Sequence, residues 1–206
     1  MPRFPRAATV VAGLIAANVL VGRLITGPLR DLPAEHRLTH DLRRRAGVRT
    51  ERLAHAVSRS SDTTRAIGAG AGLTAMLLAG GRRRRAAVPA VAMALASATH
   101  VISSALVGRP RPALERLGTR QPTSSFPSGH VGAMTALAVA VAGAGRELPR
   151  PGRIVLGAAL AGYLALLGWS RVYNGQHYAS DVVAGYLNGC ACGALALHLF
   201  AAECHD

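Results

Sequence analysis

An all-α, polytopic membrane bundle of six transmembrane helices is the fold class this sequence predicts. Half of the 206 residues are hydrophobic but only 4% are aromatic. The apolar mass is therefore mostly Ala, Leu, Val and Gly, a mix that suits close helix packing better than an all-β core. Six apolar runs come near the ~20 residues that a spanning helix needs. The turns joining several of these runs are short and rich in arginine.

The first run is Ala7 to Gly27. It follows Arg3 and Arg6, as the apolar part of a signal peptide would, but it is long for that role and no clean small-residue cleavage site follows. It reads as a retained helix. The second run, Ala66 to Gly80, is short. The third is Ala86 to Gly108, and the fourth goes from near Ser128 to Gly145. The fifth is Ile154 to Ser170 and the sixth Asp181 to Ala202. Between the first two runs, residues 29–64 are charged. Leu38, Leu42, Leu53 and Val57 recur there at roughly helical spacing with arginines between them. This pattern predicts one or two amphipathic helices on the membrane surface, within a single domain covering 1–206.

The net charge of +14 comes entirely from 24 arginines, since the chain has no lysine. The apolar runs are too long, and nucleic-acid motifs too absent, for a nucleic-acid partner. Anionic lipid or a phosphate-bearing substrate fits the charge better. Arg82 to Arg85 fill one turn, Arg146, Arg150 and Arg153 another, and Arg3 and Arg6 precede the first run. With six spans these three places share one face, predicted to be cytoplasmic in a cell membrane. Gly185, Gly189 and Gly193 recur every four residues and predict close helix packing within one subunit. Cys190, Cys192 and Cys204 have no metal or redox spacing. Asn18, Asn188, His100 and His198 are polar residues inside helices, expected to bond between helices.

Three polar stretches fall together at the opposite face: "GRPRP" (Gly108 to Pro112), "FPSGH" (Phe126 to His130) and "SRVYNGQHYASD" (Ser170 to Asp181). Ser128 reads as a helix cap, with Gly129 letting a ligand approach free backbone amides that favour phosphate. His177 and Asp181 are four residues apart and share a helical face. A carboxylate that fixes one imidazole nitrogen leaves the other free as base or nucleophile. Arg171 supplies a fork that matches phosphate oxygens, and Arg109 and Arg111 sit in a turn stiffened by proline. No carboxylate cluster calls for a catalytic metal, and no cofactor is expected. Two histidines, an aspartate, a helix start and arginines can together run phosphoryl transfer, one histidine attacking phosphorus and the other protonating the leaving oxygen.

These stretches resemble the type-2 phosphatidic acid phosphatase family of membrane enzymes, whose motifs are K-x6-R-P, P-S-G-H and S-R-x5-H-x3-D. Pro127, Ser128, Gly129 and His130 match the second in full. Ser170, Arg171, His177 and Asp181 match the third. The resemblance implies that His177 is the nucleophile forming a phosphohistidine and that Asp181 orients it. It implies that His130 protonates the leaving group and then activates water, while Arg111, Arg171, Ser128 and Gly129 hold the phosphate. It also implies a lipid-phosphate substrate: a polyprenyl diphosphate, phosphatidate or phosphatidylglycerol phosphate, met at the extracytoplasmic face. The first motif departs from the family. Its lysine falls on Ser104 or Ile102, neither of them basic, and Arg109 and His100 are the nearby groups able to compensate. The missing lysine motivates an alternative, a catalytically weak or inactive lipid-phosphate binder. A vanadate-dependent haloperoxidase shares the anion site but is generally soluble, which six apolar runs oppose.

Overall fold

The computed structural model describes residues 3–29, 32–44, 46–114, 117 and 121–200. Eight α-helices are found among them: α1 (Arg3–Thr26), α2 (Pro33–Arg44), α3 (Val48–Ser60), α4 (Thr63–Ala79), α5 (Val88–Val107), α6 (Gly129–Ala144), α7 (Arg150–Tyr173) and α8 (Ala179–Phe200). All six apolar runs are helical. Four stretches are long and apolar enough to cross a membrane: Ala7–Thr26, Arg85–Val107, Arg150–Tyr173 and Ala179–Phe200. The second and fourth runs form helices of only 17 and 16 residues. The reason for α6 is visible at its start. Ser125 to Ser128 are buried non-helical residues that enter the bundle before the helix begins. Irregular backbone at such depth is tolerated where protein surrounds it.

The centre is built by α5, α6 and α8, with α1, α4 and α7 packed around them. Residues Val88, Ala92 and Ala96 of α5 meet Ala136 and Ala140 of α6 and Cys192 and Ala196 of α8 in one cluster of small side chains. The glycine stripe explains how α6 and α8 come so close. A Cβ at Gly189 would lie 2.4 Å from the Gly132 carbonyl oxygen, and one at Gly185 2.7 Å from that of Ser128. Helix surfaces without Cβ atoms gain dispersion contacts that no lipid tail would improve on. The stripe therefore packs within the subunit. Asn188 donates from Nδ2 to the Ala96 carbonyl at 3.1 Å, bonding α8 to α5.

The bundle has two chemically distinct ends. At one, the Arg82 and Arg85 guanidinium groups both reach the Glu147 carboxylate, Arg85 at 2.8 Å. The turns after α4 and α6 therefore meet on one face. The side chains of Arg3 and Arg6 lie outside the described residues. At the other end, the polar stretches converge under α2 and α3. These two helices do more than lie on a surface. Leu42 and Val57 pack against the cluster containing Val131, Leu167 and Val172, while Leu38 and Leu53 remain exposed. Helix α5 stops at Gly108, whose φ of 68° is left-handed and whose N–H bonds the Ser104 carbonyl at 3.0 Å. Glycine at this position ends the helix, and the prolines only follow it.

Gly189→Ala is expected to lower the thermal unfolding midpoint in detergent, because its methyl meets backbone that cannot yield. The cost is about 1–3 kcal/mol for an overpacked contact. Gly157→Ala, where a Cβ meets nothing within 4 Å, is the control and should leave the midpoint unchanged or slightly raised. Equal effects at both positions would count against the close-packing account.

Candidate functional site

Asp181 occupies the first turn of α8 and is fully buried. Its Oδ1 accepts from Arg109 Nη1 at 2.6 Å. Its Oδ2 accepts from Ser125 Oγ at 2.5 Å and from the Tyr178 backbone N–H at 2.8 Å. Arg109 is itself fully buried. It also reaches Ser180 Oγ at 2.8 Å and Glu35 Oε2 at 3.1 Å, and its guanidinium lies 4.2 Å from the centre of the Tyr178 ring. Burial works against this charge, but the Asp181 and Glu35 carboxylates outweigh it and the pKa of Arg109 is raised. Glu35 in turn accepts from the Ser180 N–H at 2.5 Å and from its hydroxyl at 2.9 Å, capping α8 from outside. A carboxylate at a helix N-terminus satisfies orphan amides and complements the dipole.

This framework holds His177. The Nδ1 atom lies 2.8 Å from the Ser125 carbonyl oxygen, which has no proton to give, so Nδ1 carries the hydrogen and donates. Asp181 Oδ2 is 3.8 Å from Nδ1, beyond hydrogen-bond reach. The carboxylate thus acts mainly through Ser125, whose hydroxyl it binds while the carbonyl of the same residue binds the imidazole. The remaining lone pair, on Nε2, faces Arg111 Nη1 at 3.4 Å. Burial pushes the His177 imidazole down to about 4; the Asp181 carboxylate opposes this, and the Arg171 and Arg111 charges add to it. The ring is therefore neutral through the physiological range, with the Nε2 lone pair turned toward Arg111.

The two arginines of "GRPRP" diverge. Arg109 turns toward Asp181, whereas Arg111 turns toward His177 and the Gln176 carbonyl, the latter at 2.6 Å. Arg111 also bonds the Thr123 and Ser124 carbonyls at 3.2 and 3.3 Å, tying this segment to the residues that precede α6. Arg171, on the last turn of α7, donates to Ser58 Oγ at 2.8 Å and lies 3.4 Å from His130 Nδ1. Its Nε is buried and has no hydrogen-bond partner among the described residues, and the same is true of Ser128 Oγ. Buried donors are seldom left unpaired, and a phosphate oxygen is an acceptor either could use. Ser128 is the N-cap residue of α6, as its spacing predicts, but its side chain makes no capping bond.

A cavity of about 740 Å³ opens from these groups. His100, Arg111, Gly129, His130 and His177 line one end of it. Small and apolar residues of α4 and α5, among them Gly70, Ala71, Ala75, Met93 and Ala94, line the rest as far as Leu78. From Ser61 to Leu78 that wall is about 25 Å long at ~1.5 Å per helical residue. All the site residues expected from sequence, His177, His130, Asp181, Arg111, Ser128, Gly129 and Arg171, gather at this end of the bundle. Asp181, Ser128 and Arg171 are not among the residues lining the cavity. Glu35, Ser58 and Ser125 also belong to the site and were not read from the sequence. Glu35 sits four residues after Asp31 in a charged stretch whose pattern suggests solvent. Among the described residues no three His, Cys, Asp or Glu side chains converge as a metal-ligand set.

A family model described as the PAP2 superfamily matches residues 85–203, more than half of the chain. No curated protein sequence matches. Among solved structures, the first transmembrane PAP2-type phosphatidylglycerolphosphate phosphatase from Bacillus subtilis superposes with a TM-score of 0.77 at 16% identity, covering 95% of this chain and 98% of that one. Aquifex aeolicus LpxE superposes with a TM-score of 0.60 at 23% identity, covering 79% of this chain and 93% of that one. Both are likenesses of fold.

Arg109→Ala strips the buried Asp181 of its countercharge. It is expected to destabilise the folded chain by about 3–5 kcal/mol, the cost typical of breaking a buried ion pair from one side. Thermal unfolding in detergent would measure it. Arg65→Ala, which breaks an exposed pair with Asp62, should change the midpoint little. A midpoint for Arg109→Ala close to that of Arg65→Ala would contradict the structural role given to Arg109.

Proposed function

The chain belongs to the PAP2 superfamily, and from that premise we propose that it is an integral-membrane lipid phosphatase working through a phosphohistidine. The observation that carries this reading is the two-part cavity. Its polar end holds three imidazoles and Arg111, with Arg171 beside it, and its apolar length runs along small residues of α4 and α5. A phosphate with a hydrocarbon tail fits both parts at once. A soluble phosphate ester would leave the apolar wall wet.

The geometry supports a two-step displacement. The His177 Nε2 lone pair attacks phosphorus as the bond from phosphorus to the leaving oxygen breaks, and His130 gives that oxygen its proton. Water then attacks the phosphohistidine, His130 takes a proton from the water, and His177 leaves as neutral imidazole. Through this cycle the Ser125 carbonyl keeps the proton on Nδ1. Arg111, Arg171, Ser128 Oγ and the amides at Gly129 stabilise the charge spread over the phosphoryl oxygens. No step requires a metal.

Six spans follow if α4 and α6 also cross, and the Arg82–Arg85 end would then be cytoplasmic by the positive-inside rule. The reaction would take place at the extracytoplasmic face, with α2 and α3 as interfacial helices over a single domain. Lipid substrates reachable there are a polyprenyl diphosphate, phosphatidate or phosphatidylglycerol phosphate. The binder alternative rests on Ser104. Its hydroxyl bonds Val101 of its own helix at 3.3 Å, and it brings no charge to the cavity.

Purified full-length protein in detergent with EDTA should release inorganic phosphate from one of these lipids. His177→Ala should abolish release, with a loss of at least about 10³-fold expected for removal of a nucleophile. Lipid binding without release by the wild type would favour the binder instead. The acid limb of kcat/KM should have its midpoint near pH 4, because His177 must be neutral to attack and its pKa is lowered to about 4. A midpoint near the ordinary histidine value of ~6.5 would show that a different group limits the reaction.

A further inference from the structure

The lysine of the family motif falls on Ser104 or Ile102, and neither residue lines the cavity, so any charge offered to the phosphate on this side comes from another residue. Ser104 is buried and turned onto its own helix, while its carbonyl accepts from Ser124 Oγ at 2.6 Å. Arg109 is engaged by Asp181, Ser180 and Glu35 on the far side of His177. One turn before Ser104 on α5 stands His100, and it lines the same cavity end as Arg111, His130 and His177.

Its ring is placed with care. Nδ1 lies 2.9 Å from the Pro127 carbonyl oxygen, which can only accept, so Nδ1 carries a hydrogen. The opposite edge lies against the first turn of α6. A Cβ at Gly129 would come within 2.7 Å of Nε2 and 2.6 Å of Cδ2. Nε2 makes no hydrogen bond to any described residue. It is thus held beside the backbone amides where an anion is favoured, on the α5 side of the site, and free to bond a ligand.

Building on the phosphatase reading above, we propose that His100 Nε2 contacts a non-transferred oxygen of the substrate phosphate and takes the part of the absent family lysine. With Nδ1 committed to Pro127, an anion at Nε2 draws a proton onto the ring and receives a charged N–H donor. A lysine would bring its charge on a flexible stem, whereas this imidazole is fixed at both ends. Gly129 is then needed for a second reason: it leaves room for the ring as well as for the ligand.

Two substitutions separate the two ring nitrogens. In His100→Asn the amide overlays Nδ1 and can keep the Pro127 contact but cannot reach the cavity. In His100→Gln the amide overlays Nε2. For the lipid phosphate the wild type turns over best, His100→Asn should raise KM about tenfold, the scale of one charge-assisted hydrogen bond, and change kcat less. His100→Gln, which puts a neutral donor at the Nε2 position, should recover part of that loss. The rise in unfolding midpoint caused by inorganic phosphate, read within each variant, should follow the same order. Because it is a difference within one variant, it stays informative if His100→Asn is less stable. Asn and Gln equally impaired, or Asn equal to wild type, would overturn the contact and leave His100 as an anchor for Pro127. Turnover that depends on His177 with KM unchanged in His100→Asn sinks this inference alone. Phosphate stabilisation lost in Asn and kept in Gln supports it even where no lipid is turned over. A wild type that neither responds to phosphate nor releases it overturns both readings.

Discussion

A carboxylate with no access to water governs this structure. An ionised Asp181 inside a bundle of Ala, Leu and Gly would be expelled or neutralised unless every oxygen were met. Arg109, Ser125 and the Tyr178 amide meet them. Each comes from a different piece of chain: the segment after α5, the segment before α6, and the turn before α8. The demand of one buried charge thus gathers the three polar stretches that the sequence scatters over 70 residues. Arg109 then has its own second valence to satisfy, and it recruits Glu35 from α2. What looks like an interfacial appendage is in this way tied to Asp181 through Arg109.

The division between apolar bundle and polar end has a packing basis as well. The close approach of α6 and α8 at their glycines brings the start of one helix beside the start of the other, so Ser128 N–H bonds the Asp181 carbonyl at 2.9 Å. A Cβ on Gly185 would push these two starts apart. The same contact that compensates for weak helix association in lipid therefore also aligns the amides of α6 with the imidazole before α8. Positions that line no part of the cavity, such as Gly189 and Gly132, hold that alignment.

Local spacing made much of this legible. His177 and Asp181 are four residues apart, Arg171 lies on the preceding helical turn, and Pro127 and Ser128 open α6, all features a reader of the chain can place on helices. The glycine stripe was equally plain. Residues that meet across the fold were not. Ser58 binds Arg171 across 113 positions and Glu35 binds Ser180 across 145. No periodicity announces such a pair, and a glutamate among arginines looks solvated. The fate of the two arginines in "GRPRP" was also hidden: residues two apart in extended backbone share a face, yet these two diverge, and only the surroundings say which one meets the ligand. Hydropathy located α6 to within a residue at either end but did not reveal the buried loop that precedes it, since buried loop and buried helix carry similar composition.

The clasp between Glu35 and Ser180 has a bearing on biogenesis. Its halves are 145 positions apart, and at ~5–20 residues per second the ribosome adds Ser180 several seconds or more after Glu35. Until α8 enters the bilayer, Arg109 lacks its principal counterion and α2 has nothing to cap. The early helices can insert and pair, but the network of Asp181, Arg109, Ser180 and Glu35 cannot be complete before α8 is made. Completion of α8 is therefore the step that brings the buried charges of the early helices to their partners.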